Sequence, residues 1–300
     1  MAGPSPRYVT MSRKEFLTSL NLLGGLPYPI DKLPSTIFLL VYIGLLVATI
    51  YRLTRRQSPA SIHVRVLLAI VCRAVALGCR IAIAGGHRGA DVWSAQEMMW
   101  IWSPLLLFSA LASLTERAFR PYRSVSPFLF KHFATVIHLL VAAIGVWSVL
   151  GVTSLRKAIN GNISSYDRLL TMKKIGAWTL FGAVCLNGVV ILTAFVCFQR
   201  RKYNLSVVKS RKTERCKMAG VACITVLLFI KFMFKGVRRS GVQVSRAGFY
   251  AGWLLPDIIA VATFALLPWH RLLAEPTYEE QQANGAPIDP QCPPCLRLVV

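Results

Sequence analysis

The chain has 300 residues, 55% hydrophobic and 16% charged, with a formal net charge of +23. That apolar content excludes an ordinary soluble domain, because the apolar residues come in blocks of about 20, the length that crosses roughly 30 Å of hydrocarbon. The positive charge does not point to nucleic acid either: Lys and Arg lie between the apolar blocks rather than on one soluble basic face, a placement that suits lipid headgroups.

Residues 1–33 contain Arg13, Lys14, Glu15, Pro27 and Asp31 and no signal-peptide core. They read as an external tail, and the first apolar block as its own insertion signal with nothing cleaved. Seven apolar blocks follow, at 34–53, 62–84, 93–115, 129–152, 174–198, 217–235 and 248–269. Continuous runs such as Ile37 to Ile50 and Ala219 to Ile230 differ from the alternating segments of a barrel. The expected fold is therefore all-α: a polytopic integral membrane protein with seven transmembrane helices in one domain, 34–269, and a cytosolic tail, 270–300.

Block one is followed by Arg55 and Arg56, and block three by Arg117, Arg120 and Arg123. Block five is followed by Arg200, Arg201, Lys202, Lys209, Arg211, Lys212, Arg215 and Lys217, the densest basic cluster in the chain. Basic loops stay in the cytosol, so this side is cytosolic and the N-terminus external, with the loop 199–217 a surface for a cytosolic partner. The bias is modest, because Arg156, Lys157, Arg168, Lys173, Lys174, Arg238, Arg239 and Arg246 lie on the other side. An Asn162-Ile163-Ser164 sequon falls in an external loop and is open to glycosylation, whereas Asn204-Leu205-Ser206 falls in the cytosolic one. Trp93, Trp100, Trp102, Trp147, Trp178, Trp253 and Trp269 fall mainly toward block ends, as an aromatic belt does.

Within the blocks lie Arg73 and Arg80 (second), Glu97 (third), Lys231 and Lys235 (sixth) and Asp257 (seventh). Counting residues from each block end places all of them in the external half, at about 1.5 Å per residue. Arg73 and Arg80 share one helical face by their spacing, as do Lys231 and Lys235. Lys235, Lys231 and Arg80 are close enough to block ends to snorkel their charges to headgroups. Arg73 and Asp257 are not, and an unpaired charge there costs at least about 2.5–3.5 kcal/mol. Either Arg73 and Asp257 form a structural ion pair, or Arg73, Arg80, Lys231, Asp257 and Glu97 line a site for a polar or anionic ligand. His138 and Asn187 read as interhelical hydrogen-bonding groups. Pro256, directly before Asp257, bends the seventh block.

No His, Cys and carboxylate set has metal spacing, and the Cys292-Pro293-Pro294-Cys295 pair stands alone in the tail, better suited to lipidation. There is no phosphate loop, Rossmann glycine set or nucleophile elbow, so no cofactor is expected and catalysis is not the first reading.

Gly25-Leu26-Pro27 with Pro34, Phe38-Leu39, Tyr42, Arg55-Arg56, Arg73 with Arg80-Ile81, Phe234-Lys235-Gly236 with Arg238, Gly248-Phe249-Tyr250 and Arg271 together resemble a pattern. It is that of a fungal family of seven-span proteins often labelled family-C-like G-protein-coupled receptors. Lys235 stands where that family suggests Arg, and Asp257 where it suggests Glu; the charge sign is kept at both. The resemblance implies the fold and membrane location and carries a receptor label. A more distant likeness to fungal lipid-translocating exporter-like proteins rests on span number.

Three functions follow as expectations. The first is a receptor-like protein whose ligand engages Arg73, Arg80 and Lys231 from outside. The second is a membrane-embedded biosynthetic enzyme, terpene-cyclase-like, with Glu97 and Asp257 as its acid pair, or an accessory protein of a secondary-metabolite pathway. The third is a transporter, which the odd span count and absence of a visible repeat disfavour.

Overall fold

The computed structural model describes residues 27–55, 60–87, 89–119, 127–159, 165–200, 211–239 and 246–273. These residues are helical almost throughout. A short 3-10 turn, Pro29–Asp31, leads into α1 (Lys32–Thr54); then come α2 (Ala60–Ala84), α3 (Ala90–Ala118), α4 (Pro127–Ile159), α5 (Ser165–Arg200) and α6 (Arg211–Arg239). The next helix, α7, is composite: an α-turn Arg246–Phe249, a π-turn Tyr250–Leu254 and an α-segment Leu255–Leu266. A last turn, α8 (Trp269–Leu273), follows it.

Among the described residues, six helices are long and apolar enough to cross a membrane, and the apolar part of α7, Tyr250–Leu266, is shorter. The chain is thus an all-helical, multi-pass membrane protein. Several helices overrun the expected blocks: α4 reaches Ile159, α5 reaches Arg200, and α1 begins at Lys32, so helix intrudes on the tail assigned to 1–33. The reason is that a helix does not end where hydrocarbon does. Polar turns at either end keep their backbone hydrogen bonds in the headgroup region.

Consecutive helices pack side by side from α1 to α7, α7 closes back on α1 and α2, and α3 also touches α5 and α6. Within its most apolar window α3 is 72% buried, against 17% for α1, so α3 is the axis of the bundle and α1 a lipid-facing stave. The polarity of α1 shows the solvent it lives in. Its buried residues are Ser35, Tyr42 and Thr49, spaced by a heptad, while Ile37, Leu40, Val47 and Ile50 point outward. Between helices in lipid, polar bonding and close packing hold the interface, because burying a Leu there gains little over leaving it in the acyl chains. The inner face of α3 follows the same logic with Ser103, Ser109, Ala110, Ala112 and Ser113.

The break in α7 has a local cause. Pro256 cannot donate a backbone hydrogen bond, and the π-turn immediately before it absorbs the mismatch. Gly252 lies in that turn. A Cβ added there would stand 2.6 Å from the Phe234 ring, so the missing side chain is what lets α6 and α7 approach. Gly220 does the same for Trp269, whose ring would lie 2.8 Å from an added Cβ; α8 is thereby docked on α6, inside the region assigned to a tail.

The tryptophans depart from the expected belt. Trp93, Trp100, Trp253 and Trp269 are sealed in the core, while Trp102, Trp147 and Trp178 are partly exposed. Two of the buried rings lie against buried cations, a placement that position along the block does not reveal.

Candidate ligand site

Asp257 is the centre of the core. Its Oδ2 accepts hydrogen bonds from Arg73 Nε and Tyr42 Oη, both at 2.6 Å, and its Oδ1 accepts one from Lys231 Nζ. These donors come from α2, α1 and α6, so one carboxylate on α7 ties four helices together. None of the four side chains reaches solvent or lipid. The Arg73 guanidinium carbon lies 4.7 Å from the Trp100 ring centre and 5.7 Å from that of Trp253, and Lys231 Nζ lies 4.9 Å from the latter. Cation–π contact supplements the single carboxylate where two cations are held.

The guanidinium is only partly satisfied. Nε bonds Asp257, yet Nη1 and Nη2 of Arg73 are buried with no hydrogen-bond partner. The same holds for Trp100 Nε1 and for both amide atoms of Gln96, one turn away on α3. A buried polar group without a partner costs about 1–3 kcal/mol, more if charged, so this corner carries unused donor capacity.

Two turns further along α2, roughly 10 Å toward the end of the bundle that carries the start of α1, lies a second ionic layer. Arg80 Nη2 stands 3.5 Å from Asp31 Oδ2, and its guanidinium carbon 4.9 Å from the Phe249 ring centre. Asp31 also accepts from the Tyr28 backbone N–H at 2.9 Å and from Tyr250 Oη at 3.3 Å. Tyr250 Oη lies 3.1 Å from Ser35 Oγ, and its ring stacks on Phe38 at 5.5 Å. This layer lies between the Asp257 cluster and that end of the bundle.

Glu97 is elsewhere. It accepts from Lys173 Nζ at 2.6 Å and joins α3 to α5. Of the five residues proposed from sequence to line one site, Arg73, Lys231 and Asp257 therefore meet, Arg80 occupies an adjacent layer, and Glu97 belongs to a separate pair. The side chain of Lys235 lies outside the described residues, as do Asn162, Asn204, the 201–210 stretch and the Cys292–Cys295 pair.

Sequence reasoning missed Tyr42 as a ligand of Asp257, Asp31 as the partner of Arg80 and Lys173 as the partner of Glu97. Asp31 and Lys173 flank apolar blocks at the same depth as the charges they meet, a signal available to a reader who pairs charges across loop boundaries. At the opposite end of the bundle His138 lies 3.1 Å from Ser109 Oγ and 3.2 Å from Ser113 Oγ, and Arg65 bonds Ser113. Asn187 donates to Thr225 at 2.9 Å. Among the described residues, no three His, Cys, Asp or Glu side chains come together as metal ligands.

Fold and site define the class: a multi-pass helical membrane protein whose bundle is pinned by a buried ionic core. No family model and no curated protein matches the chain.

Proposed function

We propose that the chain is a receptor-like membrane protein that takes a small anionic or polar ligand in the outer half of its bundle, with Arg73 as the principal donor. The observation that carries this is the unused face of the Arg73 guanidinium: two buried N–H-bearing nitrogens without partners, against the Trp100 ring, whose Nε1 is in the same state. A carboxylate or phosphate group placed there accepts from both nitrogens in the fork geometry that suits arginine. Lys231 then remains as the cation for Asp257. Ligand binding relaxes the Arg73 hold on α7 beside its π-turn, and α6 and α7 repack toward the basic loop 199–217. Such a shift is only as large as the ligand's preference for the repacked state over the sealed one.

The seventh crossing belongs to this proposal. Residues 246–266 form one continuous helical run, about 30 Å at 1.5 Å per residue, which suits a full crossing. The N-terminus is taken as external on the loop charges. The family resemblance gains spatial support, since Tyr42, Arg73, Arg80, Phe249 and Tyr250, all among the residues that carry it, gather in the two ionic layers.

A second reading rests on a specific observation: Asp257 is fully satisfied and the cluster is sealed, as a purely structural ionic clamp would be. The enzymatic reading is weaker. A general acid must present a proton, whereas Asp257 accepts three hydrogen bonds and Glu97 accepts from Lys173.

The test is titration of the full chain in nanodiscs with inorganic phosphate and a panel of small mono- and dicarboxylates, following thermal unfolding and tryptophan fluorescence. Saturable stabilisation by a panel member, lost in a folded Arg73→Gln variant, supports the receptor reading. Identical responses of wild type and Arg73→Gln across the panel sink it in favour of the clamp.

A further inference from the structure

On the lipid-facing side, α5 and α6 leave a groove of about 550 Å³ at the end of the bundle where the loop between them lies. Its walls are Gly188, Leu192 and Phe195 on α5 and Ala219 and Ala222 on α6, with Arg215 at the mouth. Small residues make it: Gly188, Ala219 and Ala222 withdraw side chains where the helices would otherwise fill the gap. Thr225, toward the deep end, offers nothing polar to a guest, because its hydroxyl donates to the Val221 carbonyl and accepts from Asn187. The walls are therefore hydrocarbon, and the polar group left for recognition is Arg215.

Length and charge identify the guest. From Arg215 to Thr225 is ten residues of helix, roughly 15 Å, half of the roughly 30 Å hydrocarbon core. The groove thus runs the depth of one leaflet and ends in a cation at headgroup level. Arg215 is exposed and makes no ion pair among the described residues, whereas its neighbour Lys217 is neutralised by Glu214 at 2.5 Å. The adjoining stretch of sequence repeats the sign: Arg200 ends α5, Arg201, Lys202 and Lys209 follow it, and Arg211 and Lys212 begin α6.

We infer that this groove is a binding site for an anionic glycerophospholipid of the leaflet facing the α5–α6 loop. One acyl chain lies along Gly188, Ala219 and Ala222, and the headgroup phosphate rests on Arg215. The site is independent of the Arg73 cluster and of which end of the bundle is external.

Full-length protein is reconstituted in phosphatidylcholine nanodiscs with and without phosphatidylserine, and retained lipid is counted by native mass spectrometry. Wild type is expected to retain phosphatidylserine over phosphatidylcholine. Arg215→Gln is expected to lower that preference about five-fold, the worth of one cation at an anionic surface, while Arg215→Lys keeps most of it. Ala222→Phe, or Ala219→Leu at the rim, fills the groove and lowers retention of both lipids. Thermal unfolding in phosphatidylcholine alone checks that each variant is folded. A preference that survives Arg215→Gln, retention unchanged by both groove-filling variants, or equal competition by glycerophosphoserine, which has no tails, each overturns the inference.

Discussion

Arg73 and Asp257 lie 184 residues apart in the chain and meet at 2.6 Å, with neither side chain exposed. Lys231 bonds the other oxygen of the same carboxylate, so the cluster sets two cations against one anion among the described residues. Removing one partner of a buried pair costs about 3–5 kcal/mol because the other is left uncompensated. The charges here are unequal in consequence: losing Asp257 strands two cations, whereas losing Arg73 leaves Lys231 and Asp257 as a neutral pair.

Tyr42 should matter in proportion to its single bond. Tyr42→Phe keeps the ring and removes the hydroxyl that donates to Asp257 at 2.6 Å, a hydrogen bond to a charged group worth about 1.5–3 kcal/mol. The expected result is a lower unfolding temperature in detergent with retained expression. A wild-type unfolding temperature would show that Asp257 does not need its third donor.

Gly252 tests the approach of α6 to α7. Gly252→Ala places a methyl group 2.6 Å from the Phe234 ring, an overpacking expected to cost about 1–3 kcal/mol. Combining it with Phe234→Leu should recover part of the loss, since the smaller side chain vacates the contact. Additive destabilisation in thermal unfolding would locate the damage in the π-turn backbone instead.

Lys173 and Glu97 form a local pair. Lys173→Met alone should destabilise by at most about 3 kcal/mol, the low end for a buried pair, and Glu97→Gln added to it should restore much of the loss. A proton-donor role for Glu97 predicts something different: a lipid-like product in microsomes bearing the wild-type chain that vanishes in Glu97→Gln whatever stands at position 173.

The second ionic layer, around Asp31 and Arg80, should be softer. Tyr250→Phe removes contacts to Asp31 at 3.3 Å and Ser35 at 3.1 Å, expected to cost about 0.5–1.5 kcal/mol per hydrogen bond at most. Hydrogen exchange at the start of α1 should rise, with the α3 core unchanged. Faster exchange across the whole bundle would mean that this layer, rather than Asp257, is the keystone.

The helical class was legible because hydrocarbon thickness imposes block length, and Arg73 and Asp257 were legible because charge at that depth is costly. Their mutual contact was one of the two arrangements the sequence allowed, and the structure has it at 2.6 Å; the pairing of Glu97 with Lys173 was not legible. Counting residues from a block end fixes depth, but the direction a side chain takes around its helix depends on how neighbours pack. Depth therefore grouped Glu97 with Asp257, whereas in the structure Glu97 accepts from Lys173 and Asp257 from Arg73, Tyr42 and Lys231. Tyr42 escaped notice because a lone Tyr in an apolar block reads as packing until its hydroxyl is seen on a carboxylate. Pro256 signalled a bend; that the bend is a π-turn holding Gly252 against Phe234 depends on a tertiary contact no local pattern records.

The most direct measurement compares the unfolding of Arg73→Gln and Asp257→Asn in the same nanodiscs. If Arg73 is the surplus cation held for a ligand, Arg73→Gln folds with a small loss, while Asp257→Asn, which strands both Arg73 and Lys231, loses about 3–5 kcal/mol or fails to accumulate. Equal losses in the two variants would contradict the account and leave a structural clamp in which Arg73 is as necessary as Asp257.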